Sequence, residues 1–431
     1  MLGAFANAFR TPDLRRKMLF VLFIIAIFRL GSQVPAPGVN VANVQTCLDD
    51  VGNSGIYSLI NLFSGGALLQ LTIFALGIMP YITASIILQL LVVVIPRLEA
   101  LKKEGQSGQT KITQYTRYLT LGLAVLQATG IVALARSGNL LQGCNEPLLH
   151  SDGTTTFLVM VVTMTAGTAV IMWLGELITE RGVGNGMSIL IFTQIVATFP
   201  ISLWAVKNTN GWWVFGIVVV IGLAIVAAVI FIEQAQRRIP VQYARRMVGR
   251  KMFGGSSTYI PLKVNQAGVI PVIFASSLLY LPAMAVQFQQ DSSAAWVGWI
   301  SEYFVRGDHP LYMITYFLMI VFFTYFYVSI TFNPEEVADN MKKYGGFIPG
   351  IRAGKPTEDY LSYVLSRITF PGAMYLGLVA LIPLIALVLI DANQNFPFGG
   401  TSILIMVGVA LDTVKQIESQ LQQRNYEGFL R

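Results

Sequence analysis

Residues 51–96 read VGNSGIYSLINLFSGGALLQLTIFALGIMPYITASIILQLLVVVIP, 46 residues without a single charged side chain. As one helix they would reach about 69 Å, more than twice the roughly 30 Å hydrocarbon core of a bilayer. The run must therefore break. Gly65 and Gly66 are the natural breaking point. They leave a short apolar piece from Tyr57 to Ser64 on the outer side and a full span from Leu71 to Ile95. Eight helical residues cover only about 12 Å. At membrane depth such a half helix needs protein or an aqueous cavity around it, because its free backbone ends find no partner in lipid. The stretch implies an outward-facing cavity with a short segment lodged in it.

The rest of the chain agrees with a lipid setting. Of 431 residues, 54% are hydrophobic and 12% charged, against about 25% charged in soluble domains. Charge-poor runs predict helices over 18–34, 71–95, 117–135, 157–175, 186–206, 212–232, 267–287, 311–332, 368–390 and 399–417. The first run follows Arg15, Arg16 and Lys17 but lacks a small-residue cleavage site, so it reads as a retained helix and not as a cleaved signal. Arg29 within it is expected to snorkel or to pair with a neighbour.

Basic residues stay on the cytoplasmic side. With the N-terminus inside, 25 of the 29 Lys and Arg fall in cytoplasmic segments, Arg29 lies in the first span, and only Arg136, Lys207 and Arg306 lie outside. Both termini are expected to be cytoplasmic.

An internal repeat orders the spans. Gly77-Ile78-Met79-Pro80-Tyr81-Ile82 in the second span and Gly268-Val269-Ile270-Pro271-Val272-Ile273 in the seventh share G-x-x-P-x-I. Gly186-Met187-Ser188-Ile189-Leu190-Ile191 in the fifth and Gly400-Thr401-Ser402-Ile403-Leu404-Ile405 in the tenth share G-x-S-I-L-I. Both pairs are five helices apart. Five is odd, so the second half runs in the opposite sense, and the fold class is an all-α polytopic membrane protein of ten helices in two inverted halves, 1–206 and 207–431. Ile82, Ile191, Ile273 and Ile405 then occupy equivalent places and are expected to converge into an apolar constriction, which gates by dewetting. Isoleucine in a membrane helix is also ordinary filler, and the pattern alone leaves that open.

Several chemistries lack their residues. His150 and His309 both fall in outer loops, so no metal site is expected within the membrane. Glu176, Glu233 and Asp412 lie towards cytoplasmic helix ends, which reads as an interfacial role. An ion-coupled carrier needs buried ionisable groups, and the span centres offer almost none. No phosphate loop is visible, and Gly182-Val183-Gly184-Asn185-Gly186 reads as a tight inter-helix turn. Neither enzyme activity nor a cofactor is expected. Cys47 and Cys144 both fall on the outer side, which allows a disulfide there without bringing the two within reach.

Arg237, Arg238, Arg245, Arg246, Arg250, Lys251 and Lys263 crowd one cytoplasmic segment, 234–266, with no acidic residue among them. The next, 333–367, carries Lys342, Lys343, Arg352 and Lys355 and is rich in Gly and Pro. Two basic loops on one face suit docking of something large and anionic, such as ribosomal RNA or an acidic protein surface.

Phe74–Leu91, FALGIMPYITASIILQLL, is similar to the signature second helix of the SecY family. Supporting stretches are Lys103-Glu104-Gly105, Trp173-Leu174-Gly175-Glu176, Ile178-Thr179-Glu180-Arg181-Gly182, Pro261-Leu262-Lys263-Val264-Asn265 and Phe332-Asn333-Pro334. The resemblance implies a clamshell with an hourglass pore that passes unfolded secretory chains and releases membrane segments sideways. Carried over by position, it implies a pore ring of Ile78, Ile82, Met187, Ile191, Ile273 and Ile405. It implies a plug over residues 57–67, with Tyr57, Leu59, Ile60, Leu62, Phe63, Ser64, Gly65 and Gly66. Met187 stands where many relatives have a branched aliphatic residue, which softens the ring. A lateral gate would lie between the second and third helices and the seventh and eighth, with Gln127 as a polar gate residue. Arg250, Lys251 and Arg352 would face a ribosome or the SecA motor, and SecE- and SecG-type small membrane subunits would complete the complex. The partners so implied also include signal-sequence-bearing polypeptides and the lipid of a bacterial cytoplasmic membrane. An inverted-repeat carrier of small solutes is the alternative, and a structural scaffold a third.

Overall fold

The computed structural model describes residues 11–51, 66–68, 70–136, 147–151, 153–243, 246–248, 251–253, 257–288, 295–300, 303, 309–390 and 400–428. Its helices are α1 (Pro12–Gly31), α2 (Val41–Val51), α3 (Met79–Val94), α4 (Pro96–Lys103), α5 (Gln106–Arg136), α6 (Thr154–Arg181), α7 (Gly186–Gln234), α8 (Ile270–Phe288), α9 (Ala295–Ile300), α10 (Pro310–Thr331), α11 (Pro334–Lys343), α12 (Lys355–Ile390) and α13 (Gly400–Gly428). Strands β1 (Gln236–Tyr243), β2 (Arg246–Val248), β3 (Lys251–Phe253) and β4 (Ser257–Lys263) follow α7, and β5 (Gly346–Phe347) follows α11. Each of the ten predicted spans falls on a helix, because α7 is two helices joined at Gly211, whose φ of 80° no helix contains. Among the described residues, five helices are long and apolar enough on their own to cross a membrane: those starting at Gln106, Thr154, Gly211, Pro310 and Lys355.

The second span departs from expectation. Its helix starts at Met79, not at Leu71, and residues 70–78 are turns apart from Thr72, which bridges to Pro35. Leu71 has φ 49° and Gly77 φ 56°, values that end a helix, while Pro80 in its first turn lacks an N–H and so suits a start. The turns keep their backbone bonded. Leu71 N–H donates to the Leu68 carbonyl at 3.0 Å, Gly77 N–H to that of Phe74 at 2.9 Å, and Ile73 N–H to that of Val34 at 3.0 Å. Phe74 stacks on Phe28 of α1 at 5.8 Å. Gly167 of α6 leaves room for the Ile73 carbonyl, which an added Cβ would approach to 2.1 Å. Protein therefore surrounds the irregular stretch, as backbone at membrane depth requires.

At the other end, Ile95-Pro96 turns the chain through 99° into α4. Ile95 is extended, as a residue before proline prefers. The 182–186 turn is as expected: Gly184 has φ 92°, and Asn185 caps α7 by accepting from Met187 N–H at 3.1 Å. His309 does the same for α10, accepting from Leu311 N–H at 3.1 Å.

The two basic segments fold as one unit. β1 pairs antiparallel with β4, from Gln236 opposite Lys263 to Gln242 opposite Ser257, and β5 adds to the other edge of β1. Alternation along β1 buries Ile239 and Val241. These form a small core with Leu262, Met341, Ile348, Leu361 and Val364, drawn from both segments. Cys47 of α2 is fully buried and disulfide-bonded. Cys144, the only other cysteine in the sequence, lies outside the described residues.

Candidate functional site

The four residues singled out by the repeat meet, together with the two that the resemblance adds, Ile78 and Met187. Ile78, Ile191, Ile273 and Ile405 are buried members of a single apolar cluster, and Ile82 and Met187 pack against it half-buried. Ile78 and Ile405 are 1% exposed, Ile191 and Ile273 7%. The common cause is local. All six sit at or just inside a helix start: Ile78 before α3, Ile82 in its first turn, Met187 and Ile191 in the opening of α7, Ile273 in that of α8 and Ile405 in that of α13. Glycine precedes each start by at most two residues or forms it, so backbones approach closely there.

Close approach is measurable beside Met187. A Cβ on Gly175 of α6 would lie 2.4 Å from Met187 Sδ, and one on Gly186 would lie 1.8 Å from the Gly175 carbonyl oxygen. Thr179 fastens this crossing. Its hydroxyl donates to the Gly175 carbonyl at 3.0 Å and accepts from Gly186 N–H at 2.9 Å.

The six side chains themselves are uncharged. An ion pair joins the third and fourth spans, where Arg117 Nε and Nη2 each lie 2.8 Å from an oxygen of Glu176. Among the described residues no group of three or more His, Cys, Asp or Glu is placed to hold a metal. A groove of about 540 Å³ between the sixth and ninth spans is lined by apolar side chains and by Tyr375, and it includes none of the six.

Of the other expected residues, Tyr57, Leu59, Ile60, Leu62, Phe63, Ser64, Gly65 and Arg250 lie outside the described residues. Gly66 has φ 91°. Gln127 is half-buried on α5, and α8 touches both α3 and α5. Lys251 begins β3. Arg352 is exposed, five residues after β5. Arg238 lies over the Tyr259 ring at 4.9 Å, across the β1–β4 ladder.

Sequence reasoning missed one buried polar pair. Glu233, read as interfacial, is 9% exposed, and Asn265 is 2% exposed. Asn265 Nδ2 donates to Glu233 Oε1 at 2.5 Å. The usable signal was a carboxylate placed one residue before a seven-charge basic segment, in a span otherwise free of acid.

These features define a multi-pass helical membrane protein whose helix starts meet in one apolar cluster. A profile of the SecY family matches residues 72–414. The protein translocase subunit SecY of Streptomyces galbus is 67% identical, and that of Mycobacterium tuberculosis strain H37Rv 59%, each aligned over 100% of both chains. A solved protein conducting channel superposes with TM-score 0.63 at 18% identity, covering 94% of this chain and 91% of that one. Sec61 from a canine ribosome-channel complex superposes with TM-score 0.60 at 17% identity, covering 94% and 91%. The chain belongs to the SecY family, and it is a channel-forming translocase subunit of the membrane. The carrier and scaffold alternatives fall with that assignment.

Proposed function

We propose that Ile78, Ile82, Met187, Ile191, Ile273 and Ile405 form the ring that seals the translocation pore, at the junction of the halves 1–206 and 207–431. Their convergence from four helix starts into one uncharged cluster carries this reading. An apolar ring makes no fixed hydrogen bonds to its cargo, so it closes around any side chain without selecting a sequence. The segment around 57–67 is the plug on its outer side, and the seam where α8 meets α3 and α5, beside Gln127, is the lateral gate for signal sequences. The β1–β4 hairpin, with Arg250, Lys251 and Arg352, is the docking face for a ribosome or a SecA-type motor, which supplies the driving force. Small SecE- and SecG-type subunits accompany it in a bacterial cytoplasmic membrane, with both termini cytoplasmic. The solved ribosome-channel complex of Sec61 supports ribosome docking by analogy.

Site-specific crosslinking tests the ring. Cysteine at Ile82 or Ile405, with Cys47 and Cys144 replaced, is expected to crosslink to the middle of a stalled secretory chain. Labelling by lipid probes alone would overturn the assignment.

A further inference from the structure

The hairpin and the seventh span are joined at one enclosed point. Glu233 is the penultimate residue of α7, three residues before β1 begins, and Asn265 comes two residues after β4. One amide serves both sides of the joint: Asn265 Nδ2 donates to Glu233 Oε1 at 2.5 Å and to the Gly268 carbonyl at 3.1 Å. Gly268 has φ 63°, a turn from which α8 starts two residues later, and Ile273 lies in the first turn of that helix.

Neighbouring spans enclose the pair. A Cβ on Gly372 of α12 would lie 2.4 Å from the Val264 carbonyl. Lys263 Nζ lies 3.7 Å from Asp412 Oδ1 of α13. Asn265 Oδ1 and the hydroxyl of Tyr375 on α12 are buried without a hydrogen-bond partner. A buried carboxylate that loses its donor pays a desolvation penalty with nothing to offset it. Asn265 therefore stays with Glu233 when the hairpin moves, and the displacement passes to Gly268 and α8 instead of dissipating in a loop.

We propose that Asn265, held by Glu233, is a positioning residue that transmits docking on the cytoplasmic hairpin to the seventh span and so to the ring. The inference rests on the reading of the hairpin as a docking face and of Ile273 as a ring residue.

The complete channel complex in vesicles of phosphatidylethanolamine and phosphatidylglycerol provides the test. Two quantities are measured: ribosome affinity by co-sedimentation, and the ratio of entrapped-dye leak with and without ribosomes. Glu233→Gln keeps an acceptor for Asn265 and is expected to retain the wild-type ratio. Asn265→Leu removes the donor at similar volume and is expected to cut the ratio about tenfold, the equilibrium effect of a hydrogen bond to a charged group. Because that variant strands a buried charge, Glu233→Leu with Asn265→Leu is the decisive protein. An apolar pair of similar volume is often tolerated, so it is expected to assemble, to bind ribosomes as tightly as wild type and to lose the response. A wild-type response in the double variant would overturn the proposal alone. Failure of the unmodified complex to bind ribosomes would overturn the docking reading and the proposal with it.

Discussion

Gly186→Ala tests how the ring is positioned. The new Cβ would lie 1.8 Å from the Gly175 carbonyl oxygen and 2.9 Å from Ile178 Cβ, whereas real Cβ contacts essentially never fall below 3.0 Å. The fourth and fifth spans must therefore part by about 1.2 Å (3.0 − 1.8) at this crossing. Backbone atoms cannot rotate away as a flexible side chain does. Over-packing of this kind costs about 1–3 kcal/mol, and strain on the Gly186–Thr179 hydrogen bond adds about 1 kcal/mol. The expected loss is about 2–4 kcal/mol, read from denaturant unfolding of the detergent-solubilised complex by tryptophan fluorescence. Gly122→Ala is the control, since nothing lies within 4 Å of its added Cβ, and it is expected to be neutral or slightly stabilising. Met187 directly follows Gly186, so the same variant is expected to raise dye leak from vesicles. Unfolding of Gly186→Ala within about 0.5 kcal/mol of the control would refute the argument, because surface-like changes fall in that range.

Three further outcomes follow from the same geometry. Ile405→Asn inserts an amide among apolar neighbours at about 1–3 kcal/mol, and leak of small anions from vesicles is expected to rise about tenfold, with unchanged leak counting against the ring. A double-mutant cycle on Arg117→Ala and Glu176→Ala is expected to give a coupling of only about 0.5–1 kcal/mol in unfolding experiments, since the side chains are 45% and 20% exposed. Lys251→Ala with Arg352→Ala is expected to weaken ribosome binding and to flatten its log–log salt dependence by about 0.7–0.9 per charge removed; an unchanged slope would exclude both residues from the docking face.

How much of this was legible depended on the kind of signal. Apolar length located all ten helices, and two short matches at a constant five-helix offset picked out Ile82, Ile191, Ile273 and Ile405, because lipid imposes both length and symmetry on sequence. The start of the second span was misjudged by eight residues. Leu71 to Ile78 are as apolar as any helix, and only tertiary contacts from Val34, Phe28 and Gly167 show that their backbone is satisfied in turns. The hairpin was read as charge and not as structure, since its alternation is short and its core, Ile239, Val241 and Leu262, closes only against residues about 80–120 positions later. Glu233 and Asn265 were invisible as a pair: Glu233 resembles any helix-end acid until the chain returns through β4.

The composition of the cluster also bears on what can open it. Six apolar side chains, four of them buried and Ile82 and Met187 half-buried, each worth at most about 1.5–3 kcal/mol when moved fully into water, would cost no more than about 9–18 kcal/mol to wet together. Docking of a partner at micromolar to nanomolar affinity supplies about 8–12 kcal/mol in total, and the Glu233–Asn265 joint can transmit only the part of it that depends on the position of α8. Because only that part reaches the ring, docking alone leaves much of the hydration cost unmet. The deficit closes if the ring opens around an object that keeps most of it dry, and an unfolded chain with its own side chains in contact with Ile78, Ile82, Met187, Ile191, Ile273 and Ile405 is such an object. On this account the cytoplasmic partner shifts the seventh span and lowers the barrier, while the passing polypeptide completes the opening and maintains the seal.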